Sequence, residues 1–454
     1  MTDSAVRIAR GQVSLIPVGW AIALAAYGAE AIWVALHRPA ISSDDALFLL
    51  HGLTRFSVLD LSPQFPGYPG FIAMGRMMLP VAGDPLHALA MLTGTIAIAI
   101  PPMAALVAWR NCGSAAALAA FALALAQPLA PDLGLSLLTD GSGILFLLVF
   151  LALLPRAGEA PQSGHSFLAG IALAWALACR PSDTVLFAGA AIGAFALARR
   201  IAGPAIVGAL FVLVPVVLAI AAQEGPAYVS EGVRFIGGHA TLWGNTPFAG
   251  PGHGNWLSAL ATIPGGVPLA VLIVAAVGVA LMRLRGAPPA LAAAVVAFIA
   301  YAVWIVTFQN PDQLRHLAPL AVLGGLIAAM LIRRIELARP AITALLALEV
   351  WCLAATTQFD AYALPPLSAA TEWLEAQSAA PTVATNLGVE ALRRALPHTR
   401  VYDSYYAGDA ALGLATAAGP AYRLTTTPLA ARPPDVTFAG RFSGEPTLLL
   451  YRVN

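Results

Sequence analysis

The 454-residue chain contains no lysine: all 24 of its basic residues are arginine. With no side-chain amine, lysine Schiff-base chemistry is excluded. Charge of either sign is scarce, at 10% of residues against about 25% in an ordinary soluble domain. Water is therefore not the chain's main solvent. Cysteine is nearly absent, and Cys112, Cys179 and Cys352 show no CxxC or Cys/His spacing. That pattern offers neither a disulfide framework nor a zinc site, so the three read as small buried residues. No internal repeat of the kind many transporters carry is visible.

What is abundant is apolar sequence, at 59% of the chain. Runs of about 20 residues, each long enough to cross a hydrocarbon core, recur from residue 12 to residue 357. Helices are predicted near 12–36, 86–109, 114–130, 138–154, 166–179, 184–198, 204–222, 263–282, 289–308, 317–332 and 340–357. The expectation is an α-helical polytopic membrane protein of about eleven transmembrane helices. Its first run is too long for a cleavable signal and is expected to remain as an anchor. Placing Arg7 and Arg10 in the cytoplasm puts Arg110, Arg156, Arg199, Arg200, Arg283, Arg285, Arg333, Arg334 and Arg339 on the same side, as the positive-inside rule requires. The opposite loops then hold most of the acids, among them Asp44, Asp45, Asp132, Asp183 and Glu224. An active face would look outward.

Two outer loops are long. The first carries DDALFLLHGLTRF (44–56), the turn PQFPGYPGF (63–71) and the apolar IAMGRMMLPV, which read as interfacial helices around a turn. The second, 223–261, holds His239, Trp243 and Trp256 among many glycines. Such a loop is either an aromatic belt at the interface or a surface that stacks on sugar rings. Residues 1–360 are taken as the membrane domain. After 360 the character changes: TVAT, RVYDSYY and TLLLYRV alternate with GVEALRRAL and AALGLATAA. Residues 361–454 are expected to form a small extracytoplasmic α/β domain.

Five charged positions invite a chemical reading. Asp44 and Asp45 open the first interfacial helix, where a carboxylate is either a general base or metal ligand, or a cap in the first turn. Asp140 begins the fourth span with the same two alternatives. Arg180, followed by Pro181, lies between two short apolar runs best read as a hairpin, which sinks Arg180 and Asp183 below the surface. Charges at that depth need a wet cavity or partners. Arg315, beside His316, is either an interfacial snorkelling residue or a phosphate ligand, since its planar fork donates two hydrogen bonds at once.

In order along the chain, these features resemble the C-superfamily glycosyltransferases (GT-C). The similarity is nearest to the protein O-mannosyltransferase, aminoarabinose and lipid A sugar transferase group, and spans roughly residues 12–335. In that family the first-loop acid is catalytic, which corresponds to Asp44 with Asp45 beside it, and a second acid opens a later helix, here Asp140. Arg180-Pro181 stands where relatives often have Lys-Gly-Pro. Phe65-Pro66-Gly67-Tyr68-Pro69 replaces the usual Lys-Pro-Pro, a departure that bears on donor identity. The resemblance implies a bacterial inner-membrane hexosyl- or pentosyltransferase, N-terminus cytoplasmic and C-terminus periplasmic. It would move a sugar from a polyprenyl phosphate to an envelope glycan, lipid or protein acceptor. Asp44, Asp45 and Asp140 become the catalytic candidates, and Arg180, Arg315, His316, Tyr68 and His239 the substrate-binding ones. A divalent cation, Mg2+ or Mn2+ on Asp45 or Asp140, is an open element, and no nucleic-acid partner is expected. The rival class is a multi-span transporter or lipid flippase.

Overall fold

The computed structural model describes residues 3–156, 158–249, 254–332, 338–377, 380–429 and 432–453; Arg333 and Arg334 of the inner-loop pattern fall outside these ranges. Each apolar run predicted to be a span is helical. In chain order the helices are α1 (Asp3–Leu36), α2 (Asp44–Thr54), α3 (Pro69–Ala82), α4 (Pro85–Cys112), α5 (Ser114–Ala126), α6 (Ala130–Leu135), α7 (Asp140–Leu153), α8 (Ser163–Cys179), α9 (Thr184–Leu197) and α10 (Ala202–Glu224). They continue as α11 (Ala227–Gly238), α12 (Trp256–Ala261), α13 (Gly266–Met282), α14 (Pro289–Phe308), α15 (Ala318–Met330) and α16 (Ala338–Thr356). The chain is a multi-pass membrane protein. Among the described residues, 5 helices (α1, α4, α10, α14 and α16, with flanking residues) are long and apolar enough to cross a bilayer alone. The helices α5, α7, α13 and α15 are shorter, and α8 with α9 forms a broken pair bent by 117° at Arg180. The predicted hairpin is thus a splayed V: α8 packs along α10 and α9 along α14, with little contact between its own arms.

Small residues set these crossings. A Cβ on Gly170 of α8 would lie 1.9 Å from the Ala205 carbonyl oxygen of α10, and one on Gly193 of α9 would lie 2.6 Å from that of Ala292 in α14. In lipid, where apolar surface gains little by leaving its solvent, such close backbone approach is what holds helices together. Away from the crossings the surface is apolar and exposed: Phe211, Val217 and Leu218 on α10, Val303 and Val306 on α14.

Both stretches read as interfacial are helical. Ser43 caps α2, its hydroxyl accepting the Ala46 N–H at 3.3 Å. α3 starts at Pro69 after Tyr68, whose φ of 48° places it in the left-handed region. The turn before it contains two cis peptides, Ser62–Pro63 and Phe65–Pro66.

Beyond α16 lie α17 (Pro366–Glu375), α18 (Val389–Ala395), α19 (Ala407–Ala415) and strands β1 (Thr382–Thr385), β2 (Arg400–Asp403), β3 (Ala421–Thr425), β4 (Val436–Phe438) and β5 (Leu448–Arg452). The sheet order is β2-β1-β3-β5-β4, with β1 parallel to β2 and β3, and β5 antiparallel to β3 and β4. Leu367, Leu374, Val383, Leu392, Leu424 and Leu450 form a hydrophobic core of its own. This unit sits on the chain that follows α1. Arg441 Nη1 lies 2.9 Å from His37 Nε2, the Ser368 hydroxyl donates to the Ile41 carbonyl at 3.4 Å, and the Arg38 N–H donates to Ala361 at 3.3 Å. Arg441 is itself buried and pinned by Glu445 at 2.7 Å. Loops assigned to the outer side therefore share one face, and the C-terminal unit covers part of it.

Candidate active site

The acids and arginines picked out along the chain meet beneath that face. The deepest group surrounds Arg180 at the vertex of the α8–α9 break. Its Nη2 lies 2.8 Å from Asp140, its Nε donates to Asp183 at 3.1 Å, and its Nη1 donates to the Thr139 hydroxyl at 2.7 Å. Tyr301 of α14 donates its hydroxyl to the other Asp183 oxygen at 3.3 Å. All three guanidinium nitrogens are thus committed. The side chains of Arg180, Asp140 and Asp183 expose 6%, 2% and 2% of their surface, and charges so buried persist because they are paired. Asp140 is the first residue of α7 but does not cap it. Its carboxylate faces the arginine.

A second group lies at the start of α2. Arg315 Nη2 donates to Asp45 at 2.6 Å, and Gln64 from the proline-rich turn donates to the other Asp45 oxygen at 3.0 Å. Arg315 is a fixed partner rather than a snorkelling side chain. Among the described residues its Nε is buried with no acceptor, and the Nδ1 of neighbouring His316 is buried without a partner. Tyr68 stands between the two groups, within electrostatic reach of Asp45, Arg180, Arg315 and Asp140; burial, then Asp45, pushes its hydroxyl well above the usual phenol range. His239, at the start of the π-helical turn (His239–Trp243) that continues α11, bonds through Nε2 to the Phe308 carbonyl at 2.8 Å and lies close enough to influence His316.

Asp44 faces another way. Its Oδ1 accepts the backbone N–H groups of Glu390 and Ala391, at 3.1 and 3.0 Å, from the first turn of α18. Ser43 already caps α2, so Asp44 caps a helix of the C-terminal unit instead of its own. Burial pushes the Asp44 carboxyl up to about 6, against the pull of the Ala391 N–H and with a further push from Asp45.

Three participants went unrecognised in the sequence. Gln64 sat unremarked inside the proline-rich turn, and Tyr301 inside an apolar span that offers no local signal. Asp132 on α6 was counted only as an outer acid. It is buried, its Oδ2 has no partner among the described residues, and burial reinforced by Asp140 moves its carboxyl up to about 7. A Cβ on Gly444 would lie 2.6 Å from the Asp132 Cγ, so the C-terminal unit closes directly over it.

The two carboxylates for which a cation was left open are poorly suited to one. Asp45 has an arginine at 2.6 Å and Asp140 one at 2.8 Å, and among the described residues no three His, Cys, Asp or Glu side chains are grouped to bind a metal. A hard cation collects several oxygen ligands, commonly with carboxylates among them.

The architecture has solved counterparts. ArnT from Cupriavidus metallidurans bound to undecaprenyl phosphate superposes with a TM-score of 0.55 at 14% identity, over 97% of this chain and 98% of that one. The fold is that of the GT-C glycosyltransferases. The apo form of the same ArnT gives a TM-score of 0.52 over 98% of both chains, again at 14% identity. The Archaeoglobus fulgidus oligosaccharyltransferase tethered to an acceptor peptide matches at 0.50, with 12% identity, over 88% of this chain and 68% of that one. No family model matches the sequence, and no curated protein resembles it significantly.

Proposed function

We propose that the chain is a GT-C glycosyltransferase that moves a hexose or pentose from a polyprenyl-phosphate donor to an envelope glycan, lipid or protein acceptor. The transfer takes place on the outer face of the bacterial inner membrane, with the N-terminus cytoplasmic and the C-terminus periplasmic. The observation that carries this reading is the unpaired Nε of Arg315, a buried cationic donor beside an acidic pair in a GT-C framework. A buried donor without an acceptor is costly, and a phosphate oxygen is the acceptor that suits a guanidinium best. Asp45 and Gln64 orient that guanidinium. Arg180, with every nitrogen already engaged by Asp140, Asp183 and Thr139, orders the floor of the site instead of contacting the phosphate.

Asp44 is the base in this reading. Two backbone N–H groups fix its Oδ1, and a carboxyl near 6 is a stronger proton acceptor than an ordinary aspartate yet still ionised at neutral pH. Oδ2 takes the proton of an acceptor hydroxyl as that oxygen attacks the anomeric carbon. The bond from that carbon to the phosphate oxygen breaks, polyprenyl phosphate leaves with the electron pair, and the configuration inverts. Arg315 binds the charge that builds on the departing phosphate, an electrostatic contribution of the kind that dominates many enzymes. Tyr68, His316 and His239 border the donor's sugar and phosphate.

The test is to incubate the detergent-purified protein with a panel of undecaprenyl-phosphate sugars and an envelope extract, following release of undecaprenyl phosphate and the mass gain of the acceptor. Sugar-dependent release with a matching product supports transfer. Lipid that crosses proteoliposomes intact, with no release, would return the protein to the transporter class.

A further inference from the structure

A cavity of about 550 Å³ opens at the opposite end of α2 from Asp44, between the C-terminus of that helix, α3 and the last turn of α10. α2 has 11 residues, about 16 Å of helix, so this cavity is separate from the acidic pair. Its volume lies within the usual range for small-molecule sites.

Two arginines and two acids line it. Arg76 on α3 donates Nε and Nη2 to the Leu53 and Gly52 carbonyls, at 3.0 and 2.9 Å, which caps the end of α2 and holds the guanidinium in one orientation. Arg55 pairs with Asp60 at 2.6 Å. Glu224, the last residue of α10, is buried and accepts the Val58 N–H through Oε1 at 3.3 Å. Gln223 donates to the Phe56 carbonyl and ties the end of α10 to the loop. Phe56 and Leu59 complete the lining, whose charged groups as a set are neutral.

Its flanks are apolar. Met77 and Val81 on α3 are 75% and 76% exposed, and Val217 and Leu218 on α10 are 60% and 63% exposed. Because α10 is long and apolar enough to span a bilayer, its terminal residues lie at headgroup depth and its side faces acyl chains. A charge-balanced recess between two helices that carry exposed apolar residues matches a molecule with a zwitterionic head and an apolar tail.

From this we infer that the cavity is a binding site for a phospholipid whose headgroup carries both a phosphate and a primary amine, of the phosphatidylethanolamine class. The phosphate lies against Arg55 and Arg76, as planar guanidinium groups favour. The amine donates to Asp60 and to the free oxygen of Glu224. This site stands apart from sugar transfer and does not depend on it.

The experiment uses native mass spectrometry of the full-length protein titrated with phosphatidylethanolamine, phosphatidylcholine or phosphatidylglycerol, together with the Arg55→Gln/Asp60→Asn double variant. That variant spares Arg76 and Glu224, which hold the fold together here. Phosphatidylethanolamine is expected to be retained about tenfold better than the other two, and the double variant to lose about tenfold, the scale of one charge-assisted hydrogen bond. Equal retention of all three lipids, or retention unchanged in the double variant, overturns the assignment. Preference for phosphatidylglycerol overturns the amine contact. Competition by soluble glycerophosphoethanolamine as strong as by the lipid overturns the membrane source.

Discussion

The Asp44 carboxylate accepts the Ala391 N–H at 3.0 Å across 347 residues of chain. Gly388, which opens α18, has no side chain with which to cap it; Asp44 supplies the missing acceptor from the membrane domain. The interaction joins the proposed base to the unit that lies over the site, so the two functions of this residue need separate tests.

Asp44→Asn keeps an oxygen for the α18 N–H groups but cannot take a proton. Transfer is expected to fall by a factor on the order of 10² to 10⁴ while the C-terminal unit stays docked, as read by limited proteolysis. Asp44→Ala should lose both. In the wild type, kcat/KM should rise with pH through about 6 and then level, as the carboxyl ionises. Stability runs the opposite way: the folded value is raised, so stability present below the unfolded pKa is lost as pH rises through about 6. Thermal melts of wild type and Asp44→Asn across pH 4 to 7 should show the wild type losing ground as the pH rises.

The two arginines should separate by phenotype. Arg180→Gln strands Asp140 and Asp183 in a buried setting, a change that costs about 3–5 kcal/mol, and the protein should be recovered poorly or melt early. Arg315→Gln leaves Asp45 with 40% of its side chain exposed and still held by Gln64, so the protein should melt near the wild-type temperature yet release far less undecaprenyl phosphate. A normal turnover in Arg315→Gln moves the phosphate site elsewhere.

Much of this was legible in the sequence because membrane helices announce themselves by apolar length alone, and α4, α10 and α14 follow their runs closely, while α1 begins nine residues before its run. Periodicity also located β1, β2, β5, α18 and α19. The strands β3 and β4 were not read, since AYRLT and VTF are short and carry no clear alternation. The site was partly legible for a related reason: an acid or arginine inside apolar sequence is conspicuous, which brought out Asp44, Asp45, Asp140, Arg180 and Arg315. Tyr301 was invisible because a tyrosine is unremarkable in a span, and its role depends on Asp183 lying 118 residues away. The partner of Asp44 was equally beyond reach, being backbone and not side chain.

Topology gives an independent check on which side the site faces. A reporter fused after residue 158 should read cytoplasmic and one fused at the C-terminus periplasmic. A cytoplasmic C-terminus would place the acidic pair, Arg315 and α18 on the inner side, where the proposed outer-face transfer has no place.

The docking of the C-terminal unit should be sensitive to acid through His37. This histidine sits just after α1, with the Arg441 guanidinium 2.9 Å from its Nε2, and burial followed by the Arg441 charge lowers its pKa to about 4. A value depressed below that of the unfolded chain contributes stability that is present above about 6.5 and is lost as pH falls toward 4. Protonation would also set two cations against each other, with Glu445 already bound to Arg441 through both oxygens at 2.8 and 2.7 Å. Limited proteolysis of the linker between α16 and α17 should therefore accelerate between pH 6.5 and 4. His37→Gln, which keeps a neutral acceptor for Arg441, should flatten that dependence, whereas Arg441→Gln should release the unit at every pH by leaving Glu445 buried without its cation. Cleavage that is independent of pH in the wild type, or that stays pH-dependent in His37→Gln, would place the acid sensor elsewhere.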